Sequence, residues 1–142
     1  MTNGRIQMNR EHRLRESDSL QSHRLRESDF LQSHRLTVQE KYFNQIRRGE
    51  KTIEGRVWDK TIVNFHVGDI VIIDGGELSI RCRIKALIRY DSFYQMLQLS
   101  GYKNCLPDAE TLDDAVAVYH SFPSYEERAR LHGVVAIYLK LE

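Results

Sequence analysis

The densest group of chemically capable side chains in the chain is Gly49-Glu50-Lys51-Thr52-Ile53-Glu54-Gly55-Arg56. In an extended backbone alternate side chains point to opposite faces. Thr52, Glu54 and Arg56 then share one side, and Ile53 and Val57 take the other. Lys51 falls at a helix-to-strand corner, from which it can lean over the polar side. An ammonium, a carboxylate and a guanidinium thus lie within reach of one another. The planar fork of an arginine suits bidentate recognition of phosphate or carboxylate. A glutamate can accept a base N–H or act as a general base, and a lysine can contact phosphate or polarise a carbonyl. Lys51 and Glu54 are therefore the catalytic candidates, and Arg56 and Thr52 the ligand-binding ones. The plain alternative is a solvated Glu54–Arg56 ion pair on an exposed strand face. A motif open to a cleft is also expected to contribute little to the core.

Other groups have both a functional and a structural reading. Arg81, Arg83, Lys85 and Arg89 fall on one strand face. They can track a phosphate backbone, with Arg83 as the candidate contact, or form an ordinary solvated surface. Tyr119, His120, Phe122 and Tyr125 can stack a base, with Tyr119 as the candidate, or pack between helices. Trp58, next to the motif, is a stacking platform or a cover for one barrel end. His66 and His132 have no Asp or Cys partner at a recognisable spacing, so neither is a strong catalytic candidate. His12, His23 and His34 recur by repetition and do not make a metal site. No residue pattern calls for a metal or a cofactor.

The elements that must position these residues begin near His34. Arg35–Val38 is expected as a short strand. Residues 40–48 are expected as a helix with Tyr42, Phe43 and Ile46 on one face. Glu40 and Arg47/Arg48 match the helix macrodipole, and Gly49 is the natural stop. Lys51–Val57 is extended, and Val67-Gly68-Asp69 turns into a buried strand. Asp74-Gly75-Gly76 is a turn. From Leu78 to Tyr90, Ile80, Cys82, Ile84, Ala86 and Ile88 alternate with charged residues, predicting that Ile80, Ile84 and Ile88 lie inside. Ser92 with Gln95, and Ser124 with Glu127, are expected capping boxes for helices ended by Gly101 and Gly133. Asp113–His120 is a further helix and Val134–Leu141 a last strand. Repeated strand–helix–strand units are absent, so the expected class is α+β, a small mixed barrel with helices at its ends.

The chain of 142 residues has a net charge of +1 and 41% hydrophobic residues. That is about one domain, able to bury roughly two thirds of its unfolded surface. No apolar run approaches the roughly 18 residues of a membrane helix, and the first residues have no secretory signature. With two cysteines, Cys82 and Cys105, too few for a disulfide scaffold, a cytoplasmic location is expected. Charge is uneven. Residues 47–89 carry nine Lys/Arg against six Asp/Glu, and residues 90–142 carry four against eight. That asymmetry is compatible with one positive cleft. Residues 1–33 differ from the rest. HRLRESDSLQS at 12–22 recurs as HRLRESDFLQS at 23–33, and a third copy begins at His34. Leu14 and Leu20 are about 240° apart on a helix, so the repeat has no apolar face. The expected organisation is a disordered or frayed extension at 1–33 and a domain at 34–142. A docking arm is the alternative for the extension.

The run Gly49-x-Lys51-Thr52-x-Glu54-x-Arg56, after Tyr42-Phe43-x-x-Ile46, resembles the signature of the ASCH domain family, of the PUA-like barrel superfamily. Val67-Gly68-Asp69, Tyr90-x-Ser92-Phe93, Leu106-Pro107, Val118-Tyr119 and Gly133-Val134-x-Ala136-Ile137 extend the resemblance across about 34–142. It implies a barrel with a cleft lined by the Lys, Glu and Arg of the motif, and RNA or nucleotide-type ligands. Some relatives are hydrolases, one branch deacetylating acetylcytidine nucleosides and another described as ribonucleolytic. The deacetylating branch has a Thr three residues after the Lys. Here that position is Glu54, and Thr52 directly follows Lys51. The leading expectation is RNA or nucleotide binding. The alternatives are a small hydrolase of modified nucleosides or RNA, in which Lys51 polarises and Glu54 activates water, and a protein-interaction module.

Overall fold

The computed structural model describes residues 5–6 and 32–142, so all but the last two residues of the repeats at 12–33, and with them the expected character of the extension, lie outside the described residues. Among the described residues six strands form one mixed sheet. Strand β2 (Ser33–Thr37) leads into helix α1 (Glu40–Arg47), then β3 (Ile53–Val57), β4 (Ile70–Asp74) and β5 (Ser79–Tyr90) follow. Helices α2 (Phe93–Ser100), α3 (Tyr102–Cys105), α4 (Leu112–Ser121) and α5 (Tyr125–His132) precede the last strand, β6 (Val134–Leu141). The main path runs β2-β4-β5-β6-β3, with β2 parallel to β4 and the other neighbours antiparallel. A short β1 (Arg5–Ile6) pairs with Arg89 and Ile88 of β5. The result is the expected α+β class, a partly open barrel flanked by helices.

The sheet is apolar on both faces, and strand alternation explains how. In β6, Val135, Ile137 and Leu139 enter a barrel-side core with Leu36, Phe43, Ile46, Val71 and Ile73. Val134 and Ala136 enter a helix-side core with Ile53, Val57, Phe93, Met96, Leu97 and Tyr119. Register carries the same division to β3. Ile53, Gly55 and Val57 lie opposite Tyr138, Ala136 and Val134, whereas Glu54 and Arg56 lie opposite Ile137 and Val135. The two charged residues therefore project on the barrel side of an edge strand.

Two local expectations are corrected. In β5 the register shifts between Ile84 and Ala86. Cys82, Ile84 and then Leu87 enter the barrel-side core, while Ile88 packs against the helix side. A β-bulge reverses the phase of alternation, and an unbroken period of two does not reveal it. The Ser92 cap forms, accepting from the Gln95 N–H, but the Gln95 side chain accepts from the Asp91 N–H instead of that of Ser92. Ser124 makes no side-chain cap bond, because its φ of 65° turns the chain the other way. Thr111 caps α4 by accepting from the Asp114 N–H. Both cysteines are buried thiols, and burial pushes Cys82 up to about 11.

Candidate functional site

The motif is held at both ends before its side chains matter. Helix α1 stops at Gly49, whose φ of 80° suits glycine. The backbone N–H groups of Glu50 and Lys51 then both donate to the Gln45 carbonyl. Thr52 donates its N–H to Asn104 and accepts from Leu139 through its carbonyl. Gly55, in mid-strand, is required by close approach rather than by its φ. A Cβ there would stand 2.6 Å from Met96 Cε and 2.9 Å from Tyr119 Oη. A glycine inside a strand pattern is the sequence mark of such an approach.

Lys51 does not lean freely over a polar face. It is 2% exposed, and its ammonium donates to the carbonyls of Ile53 at 2.8 Å and Cys105 at 2.6 Å. Its third neighbour is Glu54 Oε1 at 3.2 Å. An ammonium has three donors, so all are engaged. The other carboxylate oxygen of Glu54 accepts from Arg56 Nε at 2.6 Å. Arg56 Nη2 reaches across the open side of the barrel to the Thr37 carbonyl at the end of β2, at 2.9 Å. Its Nη1 has no hydrogen-bond partner among the described residues. The motif is thus partly interior, with Lys51 and Glu54 both buried, and the expectation that it adds little to the core is corrected.

Burial alone would push the Glu54 carboxyl up. The charges of Lys51 and Arg56 and their hydrogen bonds outweigh that and hold it below its ordinary value. Burial likewise opposes the Arg56 charge, but the Glu54 carboxylate overcomes it and raises the guanidinium further. Tyr119 is pushed well above the usual phenol range, first by burial and then by Cys105 and Glu54, despite a hydrogen bond with the Gly55 backbone.

These residues border a cleft of about 260 Å³ along the free edge of β3. Thr37, Val38 and Gln39 form one wall with Tyr42 of α1. Leu106, Tyr119, Phe122, Pro123 and Tyr125 form the other. Tyr119 is 3% exposed and stacks on Phe93 at 4.6 Å, so it offers the cleft little more than an edge. Tyr42, Phe122 and Tyr125 are half-buried and present more of their rings. Two cations against one carboxylate leave the polar end of the cleft formally positive.

The structure thus brings Lys51, Glu54, Arg56 and Tyr119 to one cleft. It does not bring Thr52, Trp58 or Arg83 there. Thr52 is exposed and held through its backbone. Trp58 packs on the barrel-side core, with the Arg89 guanidinium 4.3 Å over its ring. Arg83 pairs with Glu142 at 2.8 Å and with the Gly68 carbonyl. The His66 ring does stand near an aspartate, its Nδ1 3.8 Å from Asp69 Oδ2, and Asp69 also accepts from the His66 backbone N–H and binds His34 at 2.8 Å. Tyr42 was legible only as a core position of α1, and the Thr37 carbonyl and Pro123 carried no signal.

A family model for the ASCH domain matches residues 36–142. The chain is similar to the crystal structure of a hypothetical protein, PH0355, with 35% identity and a TM-score of 0.71 over 79% of this chain and 100% of that one. It is also similar to the solution structure of protein PF0455 from Pyrococcus furiosus, with 32% identity and a TM-score of 0.64 over 77% of this chain and 96% of that one. No curated protein matches. Among the described residues no helix is long and apolar enough to cross a membrane.

Proposed function

The chain belongs to the ASCH domain family, and from that premise we propose that it binds RNA or a nucleotide by taking one base into the cleft along β3. One observation carries the reading. An aromatic-walled cleft contains Arg56, a guanidinium already fixed in place whose Nη1 donors have no partner among the described residues. The ring faces of Tyr42, Phe122 and Tyr125 suit a flat ligand, since base–aromatic stacking contributes about 1–3 kcal/mol per base. Arg56 donates to a base edge or a phosphate, and the spare lone pairs of Glu54 accept a base N–H. Size restricts the occupant. Pockets for drug-sized ligands run about 300–1,000 Å³, so 260 Å³ suits one base, with its sugar and phosphate at the mouth.

Two features weigh against the hydrolytic alternative. A general base works best with a pKa near the operating pH, whereas two cations hold Glu54 below its ordinary value. Lys51, the group that would polarise a carbonyl, has every donor committed.

Fluorescence anisotropy with labelled single-stranded RNA, competed by nucleosides and nucleotides, tests the proposal. Arg56→Ala should weaken binding at least about tenfold, or about 1.4 kcal/mol. The salt slope then assigns the contact: it falls by about one if Arg56 meets a phosphate, and stays unchanged if it reads a base edge. A folded Arg56→Ala variant that binds like the parent, or a parent that binds neither RNA nor nucleotides, overturns the reading.

A further inference from the structure

A base can reach the cleft on a free nucleotide or on one nucleotide of a strand, and the two need different surroundings. Proteins that bind single strands without sequence preference combine stacking aromatics with a positively charged groove that follows the backbone. An internal nucleotide has backbone leaving it in both directions. Its strand must therefore cross two sides of the cleft, and each crossing brings a phosphate.

Two sides of this cleft are acidic. Thr37 and Val38 border both the cleft and a groove of about 690 Å³ between α1 and the turn from β4 to β5. The charged residues of that groove are Glu40 and Glu77, both exposed carboxylates. Tyr42 and Leu106 border both the cleft and a second cavity, of about 270 Å³, where Asp108, Glu110 and Asp114 stand against Lys41 alone. Asp108 already takes up Lys41, at 3.4 Å. The charge of Asp108 reaches the shared wall. Burial raises the Tyr42 phenol above its ordinary value, and Glu54 and Asp108 add to that effect against Lys41. On the remaining side Arg128 stands 5.8 Å from the centroid of the Tyr125 ring, but Asp59 pairs with its guanidinium at 2.6 Å. The stacking walls are present, and a basic track leading away from them is not found among the described residues.

We propose that the occupant of the cleft is a free mononucleotide, and that the flanking carboxylates exclude a nucleotide inside an RNA strand; this rests on the base-binding reading above. A mononucleotide offers its phosphate at the mouth, where Arg56 can meet it, and lays nothing across the neighbouring grooves. A strand sets phosphates against Glu40 and Glu77 or against Asp108, Glu110 and Asp114, and like charges face to face oppose binding. A repulsive element of this kind separates two ligands that carry the same base.

Calorimetric titration of the full chain with each of the four ribonucleoside monophosphates identifies the preferred base. A long single-stranded RNA rich in that base, counted per nucleotide, is then compared with it. The mononucleotide should bind at least about tenfold more tightly than the strand. A variant carrying Glu40→Gln, Glu77→Gln, Glu110→Gln and Asp114→Asn, all at exposed positions outside the cleft, should bind the strand at least about threefold more tightly than the parent does. Its affinity for the mononucleotide should be unchanged, which also shows that the cleft is intact. A parent that binds the strand as tightly as the mononucleotide, or a neutralised variant that gains nothing for the strand, overturns this inference and leaves the base-binding reading standing. A parent that binds neither ligand overturns both.

Discussion

Lys51→Ala is the most informative single change, because the sequence and the structure predict different outcomes for it. A lysine leaning over an exposed strand face is dispensable to folding. The observed Lys51 is buried and gives its three donors to the Ile53 carbonyl, the Cys105 carbonyl and Glu54. Its removal leaves a buried carboxylate with Arg56 alone and two carbonyls short of a donor. Breaking a buried ion pair from one side costs about 3–5 kcal/mol. The unsatisfied carbonyls act at the same place, so their cost overlaps with this figure rather than adding to it. Against a total stability of about 5–15 kcal/mol, the variant should remain folded in the cold and lose much of its margin. Urea denaturation followed by circular dichroism reads the effect as a lower midpoint at unchanged slope. Lys51→Met, which keeps the methylenes, should cost nearly as much, since the charge and the donors are what is lost. Adding Glu54→Leu should recover only part of the loss, because it removes the stranded carboxylate but takes from Arg56 its own partner. A cost below about 1 kcal/mol for Lys51→Ala, or strictly additive effects in the double variant, would refute the account of a saturated buried ammonium.

Three further outcomes follow from the packing and the charges. Glu54 titrates lower in the folded chain than its ordinary value, so its contribution is complete above the unfolded carboxylate range and is lost as pH falls through the folded value. Glu54→Gln should therefore lack that part of the acid-side loss when denaturation midpoints are compared between neutral and acid pH. Gly55→Ala sets a methyl against Met96 and Tyr119 and should cost about 1–3 kcal/mol by thermal melting, the usual range for overpacking. Ile84→Ala empties a fully buried site on the barrel side and should cost about 2–5 kcal/mol in the same assay, whereas the partly buried Ile88 should cost less.

Most of the fold was legible because its signals are local. Helix α1 carries an amphipathic face, matched charges at its ends and a glycine stop, all within ten residues, and it forms as expected. Strand β6 is expected over Val134–Leu141 and forms over those residues, with its apolar run from Val134 to Leu139 covered on both faces of the sheet. The misplaced features depend on something distant. The bulge in β5 is set by pairing with β6, fifty residues on, and nothing in the alternation of β5 announces it. The segment from Asp59 to Phe65 contributes Ile62 and Phe65 to the core, although its residues follow neither period. Ser124 satisfies a capping pattern by spacing but has a backbone conformation that the pattern does not test.

The site divides along the same line, and the division bears on mechanism. That Lys51, Glu54 and Arg56 act together was legible, since three charged side chains in six residues of extended chain cannot be far apart. What each does was not. The role of Lys51 is decided by the Cys105 carbonyl, fifty-four positions away, and that of Arg56 by the Thr37 carbonyl on the opposite edge strand. One contact consumes the last donor of the lysine and turns it inward. The other orients the guanidinium and still leaves Nη1 over for a ligand. A lysine and an arginine with equal standing in the sequence thus separate into a buried support for Glu54 and the cation that faces the cleft. The separation follows from donor count. Three donors can be exhausted by two carbonyls and one carboxylate oxygen, whereas five cannot. The arginine is therefore the group able to hold the barrel edges together and bind at the same time, and it carries the functional reading.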